Sequence, residues 1–139
     1  MMKTLFYIAM FLVLTGMVAC KQKTDQQASA TLKEVKTVGV DEFEKLIADT
    51  QHYMLVDVRT KEEFDEGHLK GAIQRDVKSR TFRVDFQRDY PTKKTIAVYC
   101  RSGFRSKTAA NILAGVGYDV VNLRGGYQAW TEAGKETEQ

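Results

Sequence analysis

The chain has 139 residues, 43% of them hydrophobic, with 21 Lys and Arg against 18 Asp and Glu and a formal charge of +3. That length holds one domain of ordinary size plus an appendage, and so small an excess of charge gives no reason to expect a nucleic-acid partner. The two cysteines, Cys20 and Cys100, leave no internal disulfide once the first is modified, so the fold must be held by its core rather than by staples.

The first residues have the layout of a secretory signal: a basic start at Lys3, an apolar run from Leu5 to Leu14, then Thr15 and Gly16 ahead of Ala19 and Cys20. The uncharged stretch from Thr4 to Ala19 is 16 residues long, short of the roughly 18 to 20 that cross a bilayer as a helix. Leu14-Thr15-Gly16-Met17-Val18-Ala19-Cys20 resembles a bacterial lipobox, with Met17 where Leu is usual. Residues 1–19 are therefore expected to be removed and Cys20 to be lipidated. An ordinary signal with an incidental Cys20 thiol is the alternative. Residues 20–36 are polar and short of large apolar side chains, which is the composition of a flexible tether, reaching on the order of 20 to 25 Å on average. The expectation is export and lipid anchoring to a bacterial membrane, on its periplasmic face or at the cell surface.

From Val38 onward, strand-like and helix-like segments alternate, the pattern of an α/β domain on a mainly parallel sheet. The domain is placed at 37–135, with 136–139 as a disordered tail. Asp41 and Glu44 have capping-box spacing for a short helix carrying Phe43, Leu46 and Ile47. Tyr53 to Val58 forms a buried strand. Thr60 and Glu63 repeat the capping signal for a helix that Gly67 closes, and Gly71-Ala72-Ile73 leads into another strand. Between Ser79 and Tyr90 the alternation of Phe82, Val84 and Phe86 suits a strand, while the intervening charges suit a helix or an irregular segment, which is favoured. Thr95 to Tyr99 is the clearest strand, followed by a turn with Gly103 and a helix through Ala109, Ala110, Leu113 and Ala114 that Gly115 and Gly117 stop. Asp119 to Leu123 is a last strand, and Gly125-Gly126 opens a final helix bearing Tyr127 and Trp130.

Cys100-Arg101-Ser102-Gly103-Phe104-Arg105 follows the Thr95–Tyr99 strand, at the carboxyl end where open α/β sheets place their sites. Backbone amides in such a turn, together with the amino end of the next helix, make a nest for an anion. A sulfur at its centre is expected to be held as thiolate or persulfide, and Arg101 and Arg105 are expected to lower the thiol pKa further and to attract an anionic donor. A merely structural buried cysteine is the competing interpretation. With only His52 and His68 beside Cys100, no metal set is expected and no cofactor is needed.

From about Val38 to Ala133 the chain resembles a rhodanese-like domain. The resemblance rests on Leu55-Val56-Asp57-Val58-Arg59 with Glu63-Phe64, Glu66-Gly67-His68-Leu69, Gly71-Ala72-Ile73, the loop Cys100 to Ser106, and Leu123-Arg124-Gly125-Gly126-Tyr127 with Trp130. Lys70 and Gln74 stand where that family commonly has Pro and Asn. The resemblance implies a five-stranded, mainly parallel sheet flanked by helices on both faces. It also implies a sulfurtransferase that carries sulfane sulfur on Cys100, from thiosulfate or a persulfide to cyanide or a thiol. Under it, Arg101, Ser102, Gly103, Phe104 and Arg105 bind donor and persulfide, and His68 sits in a turn that supports the sheet. Asp57 and Arg59, which follow a buried strand, are read as an ion pair fixing neighbouring loops rather than as a catalytic acid or base. His68 as a proton carrier and Phe104 as either a core anchor or a shaper of acceptor access stay open. Tyr127 and Trp130 are read as packing residues.

Other functions are a non-enzymatic sulfur carrier that docks a partner, and a redox or phosphatase-like domain. Cysteine phosphatases, including those related to the rhodanese fold, use C-x5-R, whereas Cys100 and Arg105 are separated by four residues. The shorter loop is expected to fit a bound sulfur and to be tight for a tetrahedral phosphate. A monomer is expected.

Overall fold

The computed structural model describes residues 33–139, so the expected signal peptide, Cys20 and most of the expected tether fall outside the described residues. In chain order the elements are β1 Val35–Val38, α1 Val40–Ile47, β2 Tyr53–Asp57, α2 Lys61–Glu66, β3 His68–Leu69, β4 Ile73–Gln74, α3 Phe82–Asp89, β5 Thr95–Tyr99, α4 Phe104–Gly115, β6 Val120–Leu123, α5 Gly126–Glu132 and β7 Thr137–Glu138. Five strands form one sheet in the order β1-β6-β5-β2-β4, every pairing parallel. The apolar residues of β5 alternate between two cores. Ile96 and Val98, with Cys100 just beyond, pack against Phe82 and Phe86 of α3 and Ala109, Ala110 and Leu113 of α4. Ala97 and Tyr99 pack on the other face with Phe43 of α1 and Trp130 of α5. Burial on both faces is why the strand reads as an unbroken apolar run. Phe43 is fully buried and meets Trp130 edge to face at 6.5 Å.

Thr60 and Glu63 form the expected capping box, Thr60 Oγ1 accepting from the Glu63 amide and Glu63 Oε2 from the Thr60 amide. Asp41 and Glu44 do not. The helix starts two residues earlier, with Gly39 at its cap and no side-chain bond there. Asp41 falls in the first turn, and both carboxylates reach Lys135 instead, at 3.2 and 2.7 Å. The segment after Ser79 is helical because Phe82 and Phe86, four apart, share the buried face, while Val84 points outward, 58% exposed.

Both ends of the domain differ from expectation for one reason, backbone pairing that composition does not display. Val35 and Lys36, expected in the tether, belong to β1 and pair with Val120 and Val121 of β6. Thr137 and Glu138, expected in a disordered tail, pair antiparallel with Leu69 and His68 of β3. Trp130 Nε1 donates to the Glu136 carbonyl at 2.9 Å and steers the chain into that pairing. The ordered domain therefore extends beyond 37–135 on both sides.

Candidate active site

β5 delivers Cys100 to the carboxyl edge of the sheet, between β2 and β6. The loop that follows owes its shape to two glycines. Gly103 has φ +98°, and a Cβ there would lie 3.3 Å from the Gly125 amide nitrogen. Gly126, at φ +60°, brings the start of α5 directly onto the loop, where a Cβ would collide with the Cys100 carbonyl oxygen and sit 2.7 Å from that of Arg101. Close approach lets the Tyr127 and Gln128 amides donate to those two carbonyls at 2.7 and 3.0 Å. Because a trans peptide points its N–H opposite its C=O, carbonyls drawn outward to α5 leave the Arg101 and Ser102 amides facing the other way.

That inward side holds the sulfur. The Gly103 amide donates to Cys100 Sγ at 3.1 Å. Ser106, fully buried in the first turn of α4, lies beside it, its hydroxyl donating to the Gly103 carbonyl at 3.2 Å. Burial by itself pushes the thiol up. Hydrogen bonds from the Ser106 side chain and from the Ser106, Gly103 and Ser102 amides outweigh it, so Cys100 lies below its ordinary value. The residue is 1% exposed, at the floor of the loop rather than on its rim.

What differs from expectation is the part played by the arginines, not that of the amides. Arg105 does not stand free beside the sulfur: its guanidinium donates to both Glu63 oxygens, at 2.7 and 2.8 Å. Arg101 is exposed. Fixed dipoles and a hydroxyl, not guanidinium charge, are the leading stabilisers. Phe104, 81% exposed at the first position of α4, is no core anchor. Replacing Ser106 with alanine should raise the midpoint of Cys100 alkylation, since the Ser106 side chain is among the groups that lower the thiol. The check is iodoacetamide labelling followed across pH, and an unmoved midpoint would remove Ser106 from the site.

Asp57, Arg59 and His68 lie around the loop rather than in it. Asp57 is fully buried and receives Arg59 through Nε at 3.0 Å, through the guanidinium at 2.7 Å and through the Arg59 amide at 2.9 Å. The same guanidinium donates to the Gly67 carbonyl at 2.7 Å and stacks over Tyr127, 4.3 Å from its ring centre. One ion pair thus joins the end of β2, the end of α2 and the start of α5. His68 stacks on Phe64 at 3.6 Å, with Nδ1 2.9 Å from the Phe64 carbonyl and Nε2 3.5 Å from Glu138. Both ring nitrogens thus have partners, on α2 and on β7. A cavity of about 320 Å³ beside the loop is lined by Arg59, Glu63, Glu66, Arg101, Tyr127, Gln128 and Thr131. Among the described residues no cluster of three or more His, Cys, Asp or Glu is placed to hold a metal.

Two contributors escape sequence reasoning. Ser106 belongs to the quoted motif, but nothing in spacing marks it as a residue that lowers the thiol. Glu63 is legible only as a cap, because its partner Arg105 lies 42 positions away.

Residues 39–133 match the family described as "Rhodanese-like domain". A protein named "Sulfurtransferase" from Allochromatium vinosum is 35% identical over 101 residues, covering 72% of this chain and 92% of that protein. "Thiosulfate sulfurtransferase 18" of Arabidopsis thaliana is 32% identical over 117 residues, covering 76% and 85%. Among solved structures, a rhodanese-like domain protein from Staphylococcus aureus aligns with a TM-score of 0.60 at 28% identity, covering 68% of this chain and 90% of that one.

Proposed function

Since the chain belongs to the rhodanese-like domain family, we propose that it is a sulfurtransferase that carries sulfane sulfur on Cys100 as a persulfide. The observation that supports this most is the Gly103 amide donating to Sγ beside Ser106, a polar floor under a cysteine that is otherwise enclosed. In the first step the Cys100 thiolate attacks the outer sulfur of thiosulfate; the new S–S bond forms as the old one breaks, and sulfite leaves with the electron pair. The terminal sulfur of the persulfide then carries the negative charge towards the loop amides. In the second step cyanide or a thiolate attacks that terminal sulfur, departs as thiocyanate or a persulfide, and returns Cys100 as thiolate.

Intact-mass measurement after exposure to thiosulfate should show a gain of one sulfur atom at Cys100, and added cyanide should remove it. Absence of the adduct at any pH where the thiolate exists would sink the proposal. The signal-like first residues support a site outside the cytoplasm, with Cys20 as the lipid anchor to a bacterial membrane. On that reading Cys20→Ala releases the protein from the membrane fraction, and continued membrane association of that variant counts against it.

A further inference from the structure

Glu63 and Arg105 form a two-pronged pair whose side chains are only 26% and 22% exposed. The same Glu63 oxygen that meets Arg105 Nη1 also accepts from the Thr60 amide at 3.2 Å, so the carboxylate is held by the start of α2 while it holds α4. Hydrogen bonding from Arg105 keeps the Glu63 carboxyl at about 2, against an ordinary 4.5, so it is charged wherever the Cys100 thiolate exists. An anion above the loop therefore meets Arg105 as one half of an ion pair, whose field falls off faster than that of a lone cation. Arg101 differs. It is exposed, lines the cavity beside the loop, and takes part in none of the ion pairs found among the described residues.

We infer that Glu63 sets the charge this site presents to an anion, cancelling Arg105 and leaving Arg101 as the guanidinium that selects an anionic sulfur donor. The word donor rests on the sulfurtransferase reading; the charge assignment does not. Arg105 becomes a positioning residue whose planar fork ties the first turn of α4 to α2. The relative roles of Arg101 and Arg105, which the sequence leaves open, become a division of labour.

The test uses the purified full chain and compares alkylation of Cys100 by iodoacetate, an anion, and by iodoacetamide, its neutral counterpart of similar size. Product is read on the Cys100 peptide by mass spectrometry, so Cys20 does not contribute. Both reagents consume the same thiolate, so their rate ratio cancels any change in thiol pKa and reports the local field alone. Glu63→Gln keeps a residue that capping boxes accept and should raise the iodoacetate-to-iodoacetamide ratio about three- to tenfold. Arg101→Gln should lower it by a similar factor. The double variant Glu63→Gln with Arg105→Gln removes both members of the pair and should stay within about twofold of the parent ratio, because the net charge is unchanged. All differences should shrink in 1 M salt, where the screening length is about 3 Å. The KM for thiosulfate should fall in Glu63→Gln and rise in Arg101→Gln.

A ratio that stays put or drops in Glu63→Gln overturns the inference, as does a double variant that loses as much as Arg101→Gln. Ratios that behave as stated in variants of a protein that never turns over thiosulfate would uphold the charge assignment and reject the sulfurtransferase reading instead.

Discussion

Cys100→Ser is expected to form no thiocyanate from thiosulfate and cyanide, a loss of at least about a thousandfold against the parent protein. Serine fits the same space, so Gly103 and the first turn of α4 keep their places, but its hydroxyl is not ionised at neutral pH and offers no sulfur with which to make an S–S bond. The check is steady-state thiocyanate production together with a thermal melt, which should be nearly unchanged. Equal turnover in the variant would discard the persulfide mechanism. A parent protein that takes up one sulfur and never passes it on would point to a carrier rather than an enzyme. Turnover in the parent should rise with pH through the thiol midpoint, since burial raises that midpoint less than the Ser106, Gly103 and Ser102 hydrogen bonds lower it.

The second large effect is on stability. Asp57→Ala is expected to cost about 3 to 5 kcal/mol, because it leaves the Arg59 charge buried without its partner. Arg59 is 4% exposed, and its other contacts, the Gly67 carbonyl and the Tyr127 ring, do not neutralise it. Against a total stability of about 5 to 15 kcal/mol for a domain of this kind, such a loss brings the protein close to unfolding at ambient temperature. The double variant Asp57→Leu with Arg59→Met should be markedly less damaged than Asp57→Ala alone, since a buried pair exchanged for apolar side chains of similar volume is often neutral. Urea unfolding of the three proteins decides the matter. A double variant as unstable as the single one would show that the pair is needed for its hydrogen bonds to α2 and not merely for neutrality.

The features legible in the sequence are those set by local pattern. Apolar runs at Tyr53–Asp57 and Thr95–Tyr99, the Thr60 capping box and the glycine-bearing turn after Cys100 each carry their cause within a few residues, and each stands where expected. Features set by partners far along the chain were not legible. β1 is polar in its middle and becomes a strand only because β6 offers an open edge. β7 is exposed and pairs only because Trp130 draws the chain back past β3. The site divides in the same way. Cys100 is marked by its place after a strand, whereas the pairing of Glu63 with Arg105 depends on how α2 and α4 meet. Asp41 shows the opposite failure, a capping pattern displaced by two residues, with both carboxylates turned to Lys135.

The central physical claim is that inward backbone amides hold an anionic sulfur at the floor of the Cys100 loop. Its most direct test is the pH dependence of Cys100 alkylation by iodoacetamide in the unaltered protein. The account predicts a midpoint below the ordinary cysteine value of about 8.5. A midpoint at or above that value, as for a thiol enclosed by apolar side chains with the amides turned elsewhere, would contradict it.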